Sequence, residues 1–144
     1  MGYFEDNDIF DLIDEDTLIQ LTDDDNVGLV DWEKVAQVRK ASDALINGYC
    51  GKVYKVPFSP VPELAKDFSL IISIYKLYGR RQGAPEDIKT RFDDTVDYLK
   101  GVAKGENSMG IQPDPDPPDD GDYSGSIRVD TGDKMFGSDT MSKF

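Results

Sequence analysis

Leu45-Ile46-Asn47-Gly48-Tyr49-Cys50-Gly51-Lys52-Val53-Tyr54-Lys55-Val56-Pro57-Phe58-Ser59-Pro60-Val61-Pro62-Glu63-Leu64 decides the fold, because one helical pattern gives out in it and another begins. Pro57, Pro60 and Pro62 rule out a continuous helix, since each lacks an N–H and pushes its predecessor toward extended geometry. Val56, Phe58 and Val61, with Tyr49 and Tyr54 upstream, are too apolar for a solvated loop. The segment therefore predicts a rigid connector packed against the helices it joins, fixing their angle.

Upstream of the connector, Val35, Val38, Leu45 and Tyr49 recur at helical spacing from Trp32 onward, with Lys34, Arg39 and Lys40 off that face. Gly48 and Gly51 are expected to loosen this helix into the connector. Downstream of Pro62, Leu64, Phe68, Ile71, Ile72 and Tyr75 form a stripe that Leu70, Ile74 and Leu77 widen until little is left for solvent. This predicts the most buried helix. Gly79-Arg80-Arg81 ends it, with cations at the negative end of the dipole. Pro85, Glu86 and Asp87 start a last helix carrying Ile88, Phe92, Val96, Leu99 and Val102, stopped by Gly105. Residues 6 to 22 read as two short helices, with Asp6 or Asn7 and then Asp14 as N-caps. The fold class is all-α, a small helical bundle with short N-terminal helices, a Pro-rich connector and an extended C-terminal tail. A short extended piece at Lys52 to Val56 is the one departure allowed for.

The 144 residues leave room for one domain, over residues 1–105. Residues 106–125 form an acidic Pro/Gly-rich linker, too rich in Pro, Gly and Asp to bury a core. Residues 126–144 are a docking tail, in which Ile127 and Val129 alternate with polar residues and Met135, Phe136, Met141 and Phe144 follow. Burying those last four side chains is worth on the order of 6 to 12 kcal/mol, whereas ordering ten backbone units costs roughly 10 to 20 kcal/mol. Anchoring by side chains alone falls short, so the tail needs main-chain hydrogen bonds or many copies acting together.

The formal net charge is −13, and residues 1–33 carry twelve acidic and no basic side chains. Such a surface repels nucleic acid instead of gripping it, which suits contact with DNA without sequence-specific binding. One cysteine and no histidine exclude an internal disulfide and the usual zinc sets. They also leave no general base of the common kind, and no phosphate-cradling glycine loop leads into a helix, so an enzyme is the least expected class. The longest wholly apolar run of the buried helix, Leu70-Ile71-Ile72, is far too short to cross a bilayer, and the N-terminus lacks a signal pattern. A soluble, intracellular protein is expected where the chain is made.

Asp23-Asp24-Asp25-Asn26-Val27-Gly28-Leu29-Val30-Asp31 resembles a calcium loop of the helix-loop-helix type. With Asp23 first, Asp25, Gly28, Val30 and Asp31 fall at the third, sixth, eighth and ninth places. Val27 stands where a ligand belongs, and Lys34 replaces the bidentate glutamate. Asp23, Asp25 and Asp31 are the candidate ligands, for calcium if any cofactor, and the competing reading is an Asx-rich turn with Asp31 capping the helix at Trp32.

The order Leu18-Ile-Gln-Leu-Thr-Asp, the acidic loop with Gly28 and Asp31, Ala44-Leu-Ile-Asn-Gly-Tyr49, and Tyr54 followed by Pro57, Pro60, Pro62 and Leu64 resembles the Mu-like phage and prophage neck protein family. Phe136-Gly-Ser-Asp139-Thr-Met141-Ser-Lys-Phe144 is similar to that family's tail, with Ser138 where an arginine is expected. The resemblance implies a structural virion protein similar to the head-tail adaptors of long-tailed phages. Such proteins form a ring, typically of about twelve copies, beneath the portal and extend the DNA channel toward the tail. It further implies the portal protein, neighbouring copies and a tail-side neck or terminator protein as partners. It implies no catalysis, and a place in the virion neck after assembly in the host cytoplasm. Ile127, Val129, Met135, Phe136, Asp139, Met141 and Phe144 are the expected partner-binding residues, docking on the portal or on a neighbouring copy. The alternatives are an acidic DNA mimic and a calcium-binding interaction module.

Overall fold

A computed structural model describes residues 2–81 and 83–115. A 3₁₀ turn, Asp6–Asp11, is followed by α1, Glu15–Thr22, α2, Trp32–Cys50, α3, Glu63–Gly79, and α4, Glu86–Ala103. The described residues contain no strand. At Lys52 to Val56, where an extended piece was allowed for, the chain turns instead. The Val53 and Tyr54 N–H groups both donate to the Cys50 carbonyl at 3.0 and 2.8 Å, closing off the end of α2.

The caps follow from local chemistry. Asp14 accepts the Thr17 N–H at 2.9 Å at the start of α1, and Asp31 accepts the Glu33 N–H at 3.1 Å at the start of α2. Glu5, and not the expected Asp6 or Asn7, caps the 3₁₀ turn, because the Asp8 carboxylate reaches back to the Glu5 N–H at 2.8 Å. Pro85 occupies the N-cap of α4 just outside its first turn, where a missing N–H costs nothing.

α2, α3 and α4 run up, down and up, and the core divides between their two ends. At one end Phe4, Ile9, Leu18, Leu21 and Val35 pack on Leu70, Ile74 and Leu77. At the other, Ile46, Cys50, Tyr54, Phe58, Phe68, Ile72, Leu99 and Val102 form the larger cluster. α3 contributes to both and has the most buried residues of any helix, as its wide stripe requires. The connector is part of the core: Tyr54 and Phe58 are buried and their rings meet edge to face. The Val56–Pro57 and Ser59–Pro60 peptide bonds within it are cis.

The buried face of α2 is rotated from the stripe expected from its apolar residues. Val35, Ser42, Ile46 and Cys50 face inward, and Val38, Leu45 and Tyr49 flank them. Ser42 holds the centre because small residues let α2 and α3 approach. Its hydroxyl donates to the Val38 carbonyl at 2.7 Å and lies 2.9 Å from the Ser73 hydroxyl, both serines being fully buried. Gly48 does not loosen the helix, which continues to Cys50; Gly51 closes it, donating its N–H to the Asn47 carbonyl at 2.8 Å.

Residues 106–114, assigned to the linker by composition, return to the bundle. Met109 is buried and its N–H donates to the Tyr54 hydroxyl at 2.9 Å, while the Asp114 N–H donates to the Val53 carbonyl at 2.8 Å. The return depends on Gly101: a Cβ there would lie 2.2 Å from the Asn107 amide nitrogen, which bonds the Tyr98 carbonyl.

Candidate functional site

The acidic loop between α1 and α2 is held from three sides. The Asp23 carboxylate accepts the Val27 and Gly28 N–H groups at 3.0 and 2.7 Å, and these bonds hold its pKa below the usual carboxylate value. Asn26 and Gly28 take positive φ, 60° and 80°, which only an Asn or Gly adopts cheaply. Thr22 donates to the Leu18 carbonyl and accepts the Asp31 N–H at 3.0 Å, tying the far end of the loop to α1.

Cations complete the hold. Asp24 meets Arg80 at 2.7 Å, Arg81 at 3.1 Å and Lys34 at 3.4 Å, and the bond from Arg80 leads in lowering its pKa. Lys34 also pairs with Asp31 at 2.9 Å, lowering the carboxyl and raising the ammonium. Arg80 and Arg81, expected only as dipole partners at the end of α3, thus bridge α3 to the loop through Asp24. Sequence spacing could not show this link, because more than fifty residues separate the partners.

Of the candidate calcium ligands, Asp23 spends both oxygens on loop N–H groups, and Asp31 serves Glu33 and Lys34. Asp25 is exposed at the tip. Among the described residues no group of three His, Cys, Asp or Glu side chains converges as a metal set would. The arrangement seen is a loop closed by the Asp23 carboxylate on the N–H groups four and five residues further on, followed by the Asp31 helix cap. The loop instead displays apolar side chains: Val27 and Leu29 are 66% and 68% exposed. Trp32 follows, edge to face with Phe10 at 5.9 Å between centroids.

Toward the connector end, a groove of about 1050 Å³ lies between the N-terminal arm, α2 and the connector. Tyr3, Arg39, Lys40, Asn47, Phe58 and Val61 are among its walls. The arm is held by Arg39, whose guanidinium lies 2.8 Å from Asp6 and 5.2 Å from the centre of the Phe4 ring. Beside it, Asp43 accepts from the Ser69 hydroxyl and the Tyr3 N–H. Burial pushes the Asp43 carboxyl above its usual range despite those bonds. The expected tail residues Ile127, Val129, Met135, Phe136, Asp139, Met141 and Phe144 lie outside the described residues.

Fold and surface together define a small all-α domain with an acidic, rigidly held loop at one end and a packed Pro-rich connector at the other. The chain belongs to the family described as Bacteriophage Mu, Gp36, which it matches over residues 3–126. It is similar to the Mu-like prophage FluMu protein gp36 of Haemophilus influenzae, 28% identical over 85 residues. That match covers 59% of this chain and spans 59% of the relative's length. No helix among the described residues is long and apolar enough to cross a membrane.

Proposed function

We propose that this phage-family chain is a structural virion protein, a head-tail adaptor that forms a ring between portal and tail and lines the DNA channel. The observation that carries the reading is membership of a Mu phage family over residues 3–126. The design of the chain agrees with it: a rigid helical body is followed by a long C-terminal extension with large apolar residues at its end. Copies pack side by side, and Ile127 to Phe144 dock on the portal or a neighbouring copy. The tail-side face receives a neck or terminator protein. The acidic N-terminal third lets DNA pass without adhering, because carboxylates offer no site for displacing phosphate counterions. The site of action is the virion neck, after assembly in the host cytoplasm.

Co-sedimentation with the portal protein of the same genome, using the full chain and a version ending at Gly125, tests this. Binding by the full chain alone assigns the portal contact to the tail, and binding by both assigns it to the helical body. Binding by neither, together with absence of the protein from purified virions, refutes the adaptor role.

A further inference from the structure

We infer that the end of this chain, Lys134 to Phe144, folds back onto an acidic, apolar face at the start of α2 of the same molecule. The face itself calls for an occupant. Five of the seven exposed large apolar residues among the described ones, Phe10, Leu12, Val27, Leu29 and Trp32, fall between residues 10 and 32. The Phe10–Trp32 ring contact puts the 3₁₀ turn and the head of α2 on one surface. Leu29, three residues before Trp32, lies within about 11 Å of it by chain reach. Apolar side chains gathered in this way mark a docking site, whereas scattered ones need no explanation.

Charge narrows the occupant. Asp11, Glu15, Asp16, Asp25 and Glu33 are exposed and make no ion pair with the described residues. Asp11 stands between Phe10 and Leu12 in the chain, and Glu33 follows Trp32. Lys34, Arg80 and Arg81 beside the loop are already spent on Asp24 and Asp31. A second copy meeting through the same face would set acid against acid. An apolar segment carrying lysine is what the face lacks, and the chain has one. Residues 134–144 hold Met135, Phe136, Met141 and Phe144, with Lys134 and Lys143 against the single acid Asp139. The acidic linker before them is repelled where its end is attracted.

Length selects the same molecule. The described chain ends beside the far end of α2, where the Asp114 N–H bonds the Val53 carbonyl. From there back to Trp32 is roughly 27 Å at 1.5 Å per helical residue. Lys134 follows Pro115 by nineteen residues, a reach of roughly 22 to 26 Å by random-chain scaling. A tether whose mean reach comes close to the span gives the highest effective concentration, in the millimolar range. Ordering the whole ten-residue end outweighs the burial of its four apolar side chains. Seating only Met135-Phe136 and Met141 to Phe144 orders six backbones, which is about level with that burial. The two lysines and the tether then tip a contact that separate molecules would not hold. The inference rests on reading residues 126–144 as a docking tail, and in the free chain the seat hides the residues that the portal or a neighbouring copy would have to claim.

Trp32 is the sole tryptophan, so acrylamide quenching of the full chain reads the face directly. Two full-length variants open the seat from the tail side: Met135→Ser with Phe136→Ser, and Lys134→Glu with Lys143→Glu. Both should quench at least about twofold faster than the parent, whose value should stay constant from about 1 to 100 μM, as an intramolecular contact requires. Trypsin gives a second reading. Cleavage after Lys134, taken relative to cleavage after Arg128 in the same chain, should be at least about fivefold faster in Asp11→Asn with Leu12→Ser than in the parent, because that pair spoils the face. Both face positions are exposed, and circular dichroism checks that every variant folds. A parent as open as its tail variants would leave the face to a partner absent from the sample, and quenching that falls as concentration rises would give it to a second copy. Either result overturns the inference, as does an unchanged tryptic ratio in the face variant. All these readings are taken on the chain alone, so portal co-sedimentation decides the adaptor role separately. A seated tail without portal binding keeps the contact and removes the adaptor, and the reverse keeps the adaptor and removes the contact.

Discussion

The Tyr3 hydroxyl accepts the Phe58 backbone N–H at 3.1 Å while donating to the Asn47 side chain, so one phenol joins the N-terminal arm, α2 and the connector. Phe58 is buried, so its N–H depends on this bond, and its ring lies 5.7 Å from that of Tyr3 between centroids. The three prolines make the connector stiff, but this bond helps decide where it lies.

Tyr3→Phe keeps the ring contacts and leaves that N–H and the Asn47 oxygen unmatched. A loss of about 1–3 kcal/mol is expected, the cost of an orphaned buried polar group. Urea unfolding followed by tryptophan fluorescence measures it, and a loss under about 0.5 kcal/mol would mean the connector is positioned by packing alone.

The two serines at the α2–α3 crossing make an asymmetric prediction. Ser42 donates to the Val38 carbonyl, so Ser73 is left to donate to Ser42. Ser73→Ala removes a donor whose acceptor keeps its other bond, and should cost only about 0.5–1.5 kcal/mol. Ser42→Ala strands the Ser73 hydroxyl in the core and should cost about 1–3 kcal/mol. Equal effects in denaturant titrations would contradict the assigned donor order.

Helix periodicity made the three main helices legible, because apolar stripes at three- and four-residue spacing have one cheap interpretation. The connector was legible because proline forbids the alternative, and Asp14 and Asp31 were legible as caps because capping is local. What escaped the sequence depends on contacts far apart in the chain. Ser42 and Ser73 look like surface residues until two helices press together. Arg80 and Arg81 look like dipole partners until Asp24 is brought to them. The calcium-like spacing of Asp23, Asp25 and Asp31 fixes the order of oxygens along the chain and says nothing of how many are already spent on N–H groups. The return of Met109 was hidden by its polar, glycine-containing surroundings, which resemble the linker that follows.

Met109 gives a direct measure of that return. It is 1% exposed, against the cluster that includes Tyr54, Leu99 and Val102. Met109→Ala should lower stability by about 2–5 kcal/mol, the range for emptying a buried methionine site. A near-neutral result would mean that residues 106–114 merely rest on the bundle.

Cys50 offers a probe of opening. It is fully buried, and burial pushes its thiol up to about 12, so almost no thiolate exists at pH 8. Labelling by a disulfide reagent in native buffer should run at least about a thousandfold slower than in the unfolded chain, as expected for a group freed only by cooperative opening. Tyr3→Phe and Met109→Ala should both speed it, since both weaken the cluster around Cys50. Fast labelling of the parent would place the connector among locally open segments.

The Asp24 clamp carries a pH dependence whose sign is fixed by linkage. Asp23, Asp24 and Asp31 all have carboxyls held below their usual values in the folded chain, by the loop N–H groups, by Arg80 and by Lys34 respectively. A depressed folded pKa contributes stability that is present above the unfolded value near 3.9 and is lost as pH falls through the folded one. Asp43 acts in the opposite sense, because burial raises its pKa and its charge weakens the fold as pH climbs past the unfolded value. The parent melting temperature should therefore drop on acidification below about pH 4, with Asp43 blunting the fall. Asp24→Asn should melt lower than the parent at neutral pH and converge toward it in acid, where the parent's clamp is protonated too. Added salt at neutral pH should narrow the same gap, because the clamp is partly exposed and screened. A constant difference between the two melting curves from pH 7 to pH 3 would show that Asp24 acts through loop geometry and not through its charge.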